Sequence, residues 1–240
     1  MRPVDKLRFC PSLLELALGA TIVVSLPGCG SGGGGSGGTG NPTTPTPTNH
    51  SPQITAISAS PAFGIAGLTV FTINATATDP DGDPVTYSWT FGGRTFSGAS
   101  ASTTLSGEGT QTAALTVSDS KGATASDQRS VTVGNMTGTW VGTVADCGSF
   151  NLTLIQTGGT VTGTFVMPNK WCNVPAGSTG KTDPAEPGTI DANGNMQIRL
   201  KIGVFLDSYF RGVMDSTGRR VAGGMFNSGF TGQTTTLVKQ

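Results

Sequence analysis

Asp79-Pro80-Asp81-Gly82-Asp83-Pro84-Val85-Thr86-Tyr87-Ser88-Trp89-Thr90-Phe91 holds one turn and one strand, and its two halves obey different rules. In the first half every residue suits a reversal. Asp bonds its own following backbone, Pro fixes φ, and Gly82 accepts a positive φ. In the second half Val85, Tyr87, Trp89 and Phe91 recur at every second position against Thr86, Ser88 and Thr90, the period of a half-buried strand. The same period runs through Phe71, Ile73, Ala75 and Ala77, then Leu115 and Val117, and finally Val131 and Val133. Short strands separated by Gly, Pro, Asp and Ser clusters, with no helical period, predict an antiparallel β-sandwich over residues 53–134. Trp89, on the third strand of such a sandwich, is expected to fill the space between its sheets.

A second all-β domain is expected over residues 136–240. Turn signals recur at Asp146 to Ser149, Gly158-Gly159, Ala192 to Asn195, Ser216 to Gly218 and Ser228-Gly229. Between them eight strands are predicted: 138–145, 150–156, 160–167, 187–191, 196–203, 208–215, 220–227 and 231–239. Met196, Ile198, Leu200 and Ile202 alternate with Gln197, Arg199 and Lys201, one dry face and one wet. Sequential hairpins of this kind suggest a small up-and-down β-barrel, whose closure removes unpaired edges. If its first three strands form a meander, Cys147 in the first turn meets Cys172 just after the third strand. In an oxidising compartment that pair forms a disulfide.

Pro168 to Glu186 is the longest stretch without strand signals outside the N-terminal tether, and it holds Lys170, Trp171 and Asn173 beside Cys172. An aromatic with polar neighbours at a barrel mouth fits a sugar-stacking or ligand-capping role, and it fits equally a cover over the barrel end. Asp79, Asp81 and Asp83 are three hard carboxylates around one turn, a set that suits Ca²⁺, although the turn alone also calls for Asp and Gly. No other cofactor is indicated.

The 14 Lys and Arg balance the 14 Asp and Glu and only 12% of residues are charged, so no basic surface exists to neutralise nucleic-acid phosphates. The single His, His50, lies in a Pro-rich tether with nothing to polarise. Acidic residues such as Asp119, Asp146, Asp191 and Asp215 fall at strand ends and turns. No catalytic constellation emerges, and the chain reads as a non-enzyme.

The N-terminus reads as an address. Arg2, Lys6 and Arg8 precede an apolar run from Leu13 to Leu26, the order of a secretory signal over residues 1–28. Its uncharged part is too short to span a membrane. Residues 29–52 follow as a linker, first Gly, Ser and Thr, which stay coil, then Pro42, Pro45, Pro47 and Pro52, which favour an extended rod.

Three resemblances refine this reading. Leu26-Pro27-Gly28-Cys29 resembles the lipobox of bacterial lipoproteins, which implies a diacylglycerol on Cys29 and cleavage before it; Gly30 after the cysteine then implies the outer membrane of the cell envelope. The stretch from Asp79 to Gly92, with Leu115-Thr116-Val117-Ser118-Asp119-Ser120-Lys121-Gly122, resembles the PKD family, an immunoglobulin-like sandwich of bacterial and archaeal surfaces. Gly138-Thr139-Trp140, with Lys239 near the chain end, resembles the calycin barrels, and implies that Trp140 closes one barrel end beneath the Lys239 ammonium. The expected function is a lipid-anchored, non-catalytic envelope protein whose sandwich is a spacer or adhesion module presenting the C-terminal domain. The alternative is a carrier of a small apolar ligand or carbohydrate, with Trp140, Lys170, Trp171 and Asn173 at the site. A surface protein is a further candidate partner.

Overall fold

The computed structural model describes residues 47–183, 185–203, 206–227 and 229–240. The signal segment, Cys29 and the Gly/Ser tether lie outside the described residues.

Among the described residues every regular element is a strand. The sandwich packs a three-stranded sheet, β1 (Gln53–Ser60), β3 (Val70–Thr78) and β6 (Ser100–Thr104) in the order β1-β3-β6, on a five-stranded one. The latter contains β2 (Phe63–Ile65), β4 (Val85–Phe91), β5 (Arg94–Ser97), β7 (Gly109–Asp119) and β8 (Thr124–Gly134), ordered β2-β8-β7-β4-β5. The inward residues of the alternating runs form the core: Phe71, Ile73, Trp89, Phe91, Leu115, Val117, Val131 and Val133. Trp89 is fully buried, and its indole N–H donates to the Gly98 carbonyl at 3.1 Å, so the ring's one polar atom is satisfied.

Nine strands follow: β9 (Gly138–Val144), β10 (Gly148–Thr157), β11 (Thr160–Val166), β12 (Thr179–Thr182), β13 (Gly188–Ile190), β14 (Asn195–Ile202), β15 (Leu206–Met214), β16 (Arg220–Asn227) and β17 (Phe230–Lys239). Each pairs antiparallel with its neighbours, and β17 returns to β9, with Lys239 opposite Trp140, so the sheet closes into a barrel of eight strand positions. The fourth position is shared. β12 and β13 both lie between β11 and β14, one after the other along the same gap. The stretch expected to be irregular, Pro168 to Glu186, therefore contains half a barrel strand, which its Thr-Gly-Lys-Thr sequence hides because it has no apolar alternation. Between the halves the chain leaves the sheet, and Arg199 on β14 fastens it: the guanidinium grips Asp207 at 2.7 and 2.8 Å and reaches Glu186 at 3.0 Å and Asp183 at 3.4 Å.

Side chains fill the barrel. Trp140, Phe150, Phe165, Trp171, Phe210, Met225 and Leu237 are all buried inside it. Large residues face small ones: Gly142 stands opposite Phe150, and a Cβ there would clash with the edge of the Phe150 ring. Such a packed interior is a core and not a lumen.

One end of the barrel is closed by the sandwich. Ile65 of β2 is fully buried in the barrel core, with Phe63 and Leu68 packed beside it. Thr69 donates to the Ala192 carbonyl at 2.8 Å, and Gln156 donates to the Ala66 carbonyl at 3.2 Å. Lys239 is buried over Trp140, 5.6 Å from the ring centroid, and donates to both oxygens of Glu108 at 2.7 Å and to the Asn135 carbonyl at 2.9 Å. The Trp140 indole N–H donates to Met136 at 2.8 Å. The cation over Trp140 implied by the calycin resemblance is in place, and its counter-ion comes from the β6–β7 loop of the other module.

Candidate functional site

The acidic turn before β4 is built from its own sequence. Asp79 Oδ1 accepts from the backbone N–H of Asp81 at 2.9 Å and of Asp83 at 3.3 Å, while Gly82 takes φ 80°, so the loop folds back and draws three carboxylates together. One oxygen from each of Asp79, Asp81 and Asp83 lies within 4.8 Å of the others. A tight turn explains Asp79 Oδ1. It does not explain the rest.

Partners arrive from two other segments. The His50 backbone N–H donates to Asp81 Oδ2 at 2.7 Å, and its Nδ1 lies 2.9 Å from Oδ1. Those contacts hold the Asp81 carboxyl below the usual carboxylate range. Asn49 donates to Asp119 Oδ2 at 2.8 Å, and Asp119 Oδ1 accepts from the N–H groups of Lys121 and Ala123 at 2.9 Å each. Burial disfavours charge on Asp119, but the Asn49 and backbone bonds outweigh it and lower its pKa. The Lys121 ammonium sits 2.9 Å from Asp83 Oδ2, and that hydrogen-bonding contact raises the lysine pKa.

These contacts correct the expectation for His50 and Asn49. Neither belongs to a free tether: both are fastened to the sandwich four and three residues before β1 begins. The sequence signal was the pair of polar residues ahead of Ser51-Pro52, masked by the Pro- and Thr-rich composition around them. Asp119 likewise is more than a surface turn residue, since it is 7% exposed and organises three donors.

The chemistry of the donor set fits a hard divalent cation. Asp79 Oδ2 is a buried side-chain oxygen that accepts no hydrogen bond, as is Asn49 Oδ1 on the segment beside His50, whereas Asp83 Oδ2 is engaged by the Lys121 ammonium. Buried acceptors without partners are costly, and oxygen donors of this kind suit Ca²⁺, with water completing the six to eight ligands it typically takes.

At the barrel end away from the sandwich, the Cys147–Cys172 disulfide is formed, with the Cα atoms 4.9 Å apart. It pins a small turn in which Trp171 and Val174 exchange backbone bonds of 3.0 and 2.8 Å. Trp171 is 1% exposed. Its ring packs against Phe150 and Phe230 with centroids 5.6 and 5.5 Å away, and its N–H donates to Gly148 at 3.2 Å. Trp140 is equally buried at the opposite end. Neither indole offers a face to a sugar. Lys170 and Asn173 are exposed on either side of Trp171, and Asn173 borders a surface depression of about 220 Å³.

Comparison with known proteins supports the first module directly. The family model of the PKD domain matches residues 49–133, so it begins at Asn49. The PKD1 domain of Vibrio anguillarum Epp is 28% identical over 36% of this chain and 96% of its own, with a TM-score of 0.30. A carbohydrate-binding module of the β-sandwich superfamily overlaps 81% of the chain and 93% of its own at 13% identity and a TM-score of 0.34. Bacteroides ovatus SGBP-B, from a mixed-linkage glucan utilization locus and solved with a mixed-linkage heptasaccharide, overlaps 80% of the chain and 62% of its own at 14% identity and a TM-score of 0.29. At such scores these overlaps carry no functional weight. No curated protein matches the chain. Residues 49–133, from the Asn49 and His50 contacts to the end of the sandwich, form a PKD-like, immunoglobulin-like β-sandwich that is continued by a closed β-barrel.

Proposed function

We propose that the chain is a non-catalytic protein of the bacterial cell envelope, held on the outer membrane by lipid on Cys29, whose PKD domain is a calcium-braced base that carries the barrel. The observation that carries this reading is the joint between the modules. Ile65 and the Lys239–Glu108 pair make the sandwich the floor of the barrel, so the barrel is displayed on a rigid base and has no open lower end through which to load a ligand. The carrier alternative loses its cavity to Trp140, Phe150, Phe210 and Leu237.

The acidic residues also support a non-catalytic reading. Asp81 and Asp83 are engaged by His50 and Lys121; Asp119 holds its own turn and Asn49; Asp183, Glu186 and Asp207 surround Arg199; and Asp191 and Asp215 cap turns. The anchor is tested by metabolic labelling with a clickable fatty acid. Label on the wild type, lost in Cys29→Ala together with membrane retention, is the expected result; an unlabelled wild type would remove the anchor. Native mass spectrometry of the protein from its own host tests the filled barrel, with no small molecule expected to accompany it.

A further inference from the structure

The outer face of the barrel gathers a basic fork, two aromatic rings and a run of small residues. Register places Gln197, Arg211 and Gly224 side by side on β14, β15 and β16. Asn195, Val213 and Ala222 form the rank on one side, and Arg199, Tyr209 and Phe226 the rank on the other. The alternate residues Met196, Ile198, Phe210, Val221 and Met225 are buried, which turns these ranks outward. Arg211 is exposed yet held. Its Nε donates to Gln197 Oε1 at 2.7 Å, and its guanidinium carbon lies 5.8 Å from the Tyr209 ring centroid and 5.5 Å from that of Phe226. Tyr209 is fixed in turn by Arg199 at 5.6 Å and by its hydroxyl, which donates to Glu186 at 2.8 Å. Beside Arg211, Gly224 has no side chain and Ala222 has only a methyl, and a concavity of about 800 Å³ opens over them, lined also by Asn195, Gln197 and Phe226.

A guanidinium already stacked and bonded through Nε loses little further freedom when its remaining N–H groups grip a planar oxyanion. Asp207 and Glu186 are paired with Arg199, and Asp191, which also lines the groove, keeps its charge and accepts from the Asn195 amide at 2.8 Å. Arg211 is left without a carboxylate partner among the described residues, so the part of the groove over its guanidinium favours an anionic group. Closure of the barrel leaves no strand edge along this face, so an extended peptide cannot be held here by backbone pairing. What the face offers is amides at Asn195 and Gln197 for hydroxyls, and apolar surface at Phe226 and the half-exposed Val213 for the C–H face of a ring. We infer that this groove binds an acidic polysaccharide, with a uronic-acid carboxylate on Arg211 and ring hydroxyls on Asn195 and Gln197. The inference goes beyond the envelope-module reading and does not depend on the anchor.

Calorimetric titration of the full chain with oligogalacturonate and with neutral cellohexaose tests it. The acidic oligomer should bind, more weakly as salt is raised, and the neutral one should not. Arg211→Gln should weaken binding at least about tenfold, Arg211→Lys should not restore it fully, and Ala222→Glu, at an exposed position, should abolish it without lowering the melting temperature. Absence of oligogalacturonate binding, equal affinity for cellohexaose, or an unchanged Arg211→Gln titration would overturn the proposal. Equal affinity for a polyglutamate peptide would overturn the saccharide assignment. Any of these outcomes leaves the lipid-labelling test of the envelope reading untouched.

Discussion

The sandwich and the barrel bury the same kind of core but show water very different faces. Outward positions on β4, β7 and β8 are mostly hydroxyls: Thr86, Ser88 and Thr90, then Thr110, Thr112, Thr116 and Ser118, then Thr124, Ser126, Ser130 and Thr132. Neighbours pair across the ladder, as Thr112 with Ser130 at 3.2 Å. The barrel instead presents Arg199, Lys201, Tyr209, Arg211 and Phe226 around two surface concavities. The hydroxyl face of the sandwich carries few charges, and the barrel face carries stacked cations beside its hollows. The chemistry of each module thus sits in a different place: buried oxygens at one end of the sandwich, and exposed forks on the side of the barrel.

The comparison can be broken most sharply at the cores. Trp89→Ala removes the largest sandwich side chain and one satisfied N–H, and is expected to cost about 3–5 kcal/mol in urea melts. A loss below about 1 kcal/mol would mean that the ring does not hold the sheets together. In the barrel, loss of the Cys147–Cys172 bridge should cost about 2–4 kcal/mol, seen as a lower melting temperature in Cys147→Ser/Cys172→Ser. Intact-mass measurement after alkylation should find neither thiol modified until reductant is added.

A smaller effect separates the modules by ligand. Millimolar Ca²⁺ should raise the melting temperature and a chelator should lower it, with both responses absent in Asp79→Asn and Asp83→Asn. An identical response in these variants would place the ion elsewhere. Acid should act through the same end. Asp81 and Asp119 have folded pKa values below those of the unfolded chain. Their contribution is therefore complete above the unfolded value of about 3.9 and is lost as pH falls through the lower folded values. Asp119→Asn should flatten that acid limb and leave stability near neutral pH less dependent on further acidification. The smallest change is expected on the hydroxyl face, where Thr116→Ala should move stability by no more than about 0.5 kcal/mol.

Legibility in the sequence followed the strength of the local signal. Trp89, Phe91 and their alternating neighbours announced the sandwich, and the eight barrel positions were readable because Met196 to Ile202 and the Gly-rich turns left little choice of register. The Cys147–Cys172 pairing followed from the meander together with an oxidising compartment. β12 was invisible, since two Thr, a Gly and a Lys carry no period. The candidate cation site was half visible: its three Asp residues lie at alternate positions of one turn, whereas the His50 contacts on Asp81 and the Lys121 contact on Asp83 form only through folding. The joint left no local trace at all, because Glu108 and Lys239 are 131 residues apart and Ile65 reads as an ordinary strand residue. A spacer that merely presents the barrel was the natural sequence reading; the Ile65 and Lys239 contacts make the two modules one body.

Differential scanning calorimetry of the full chain tests that unity most directly. A sandwich that forms the barrel floor should melt together with the barrel in one cooperative transition, with equal calorimetric and van't Hoff enthalpies, and Ile65→Asp should split it in two. Two independent transitions in the wild-type protein, unchanged by Ile65→Asp, would contradict the account.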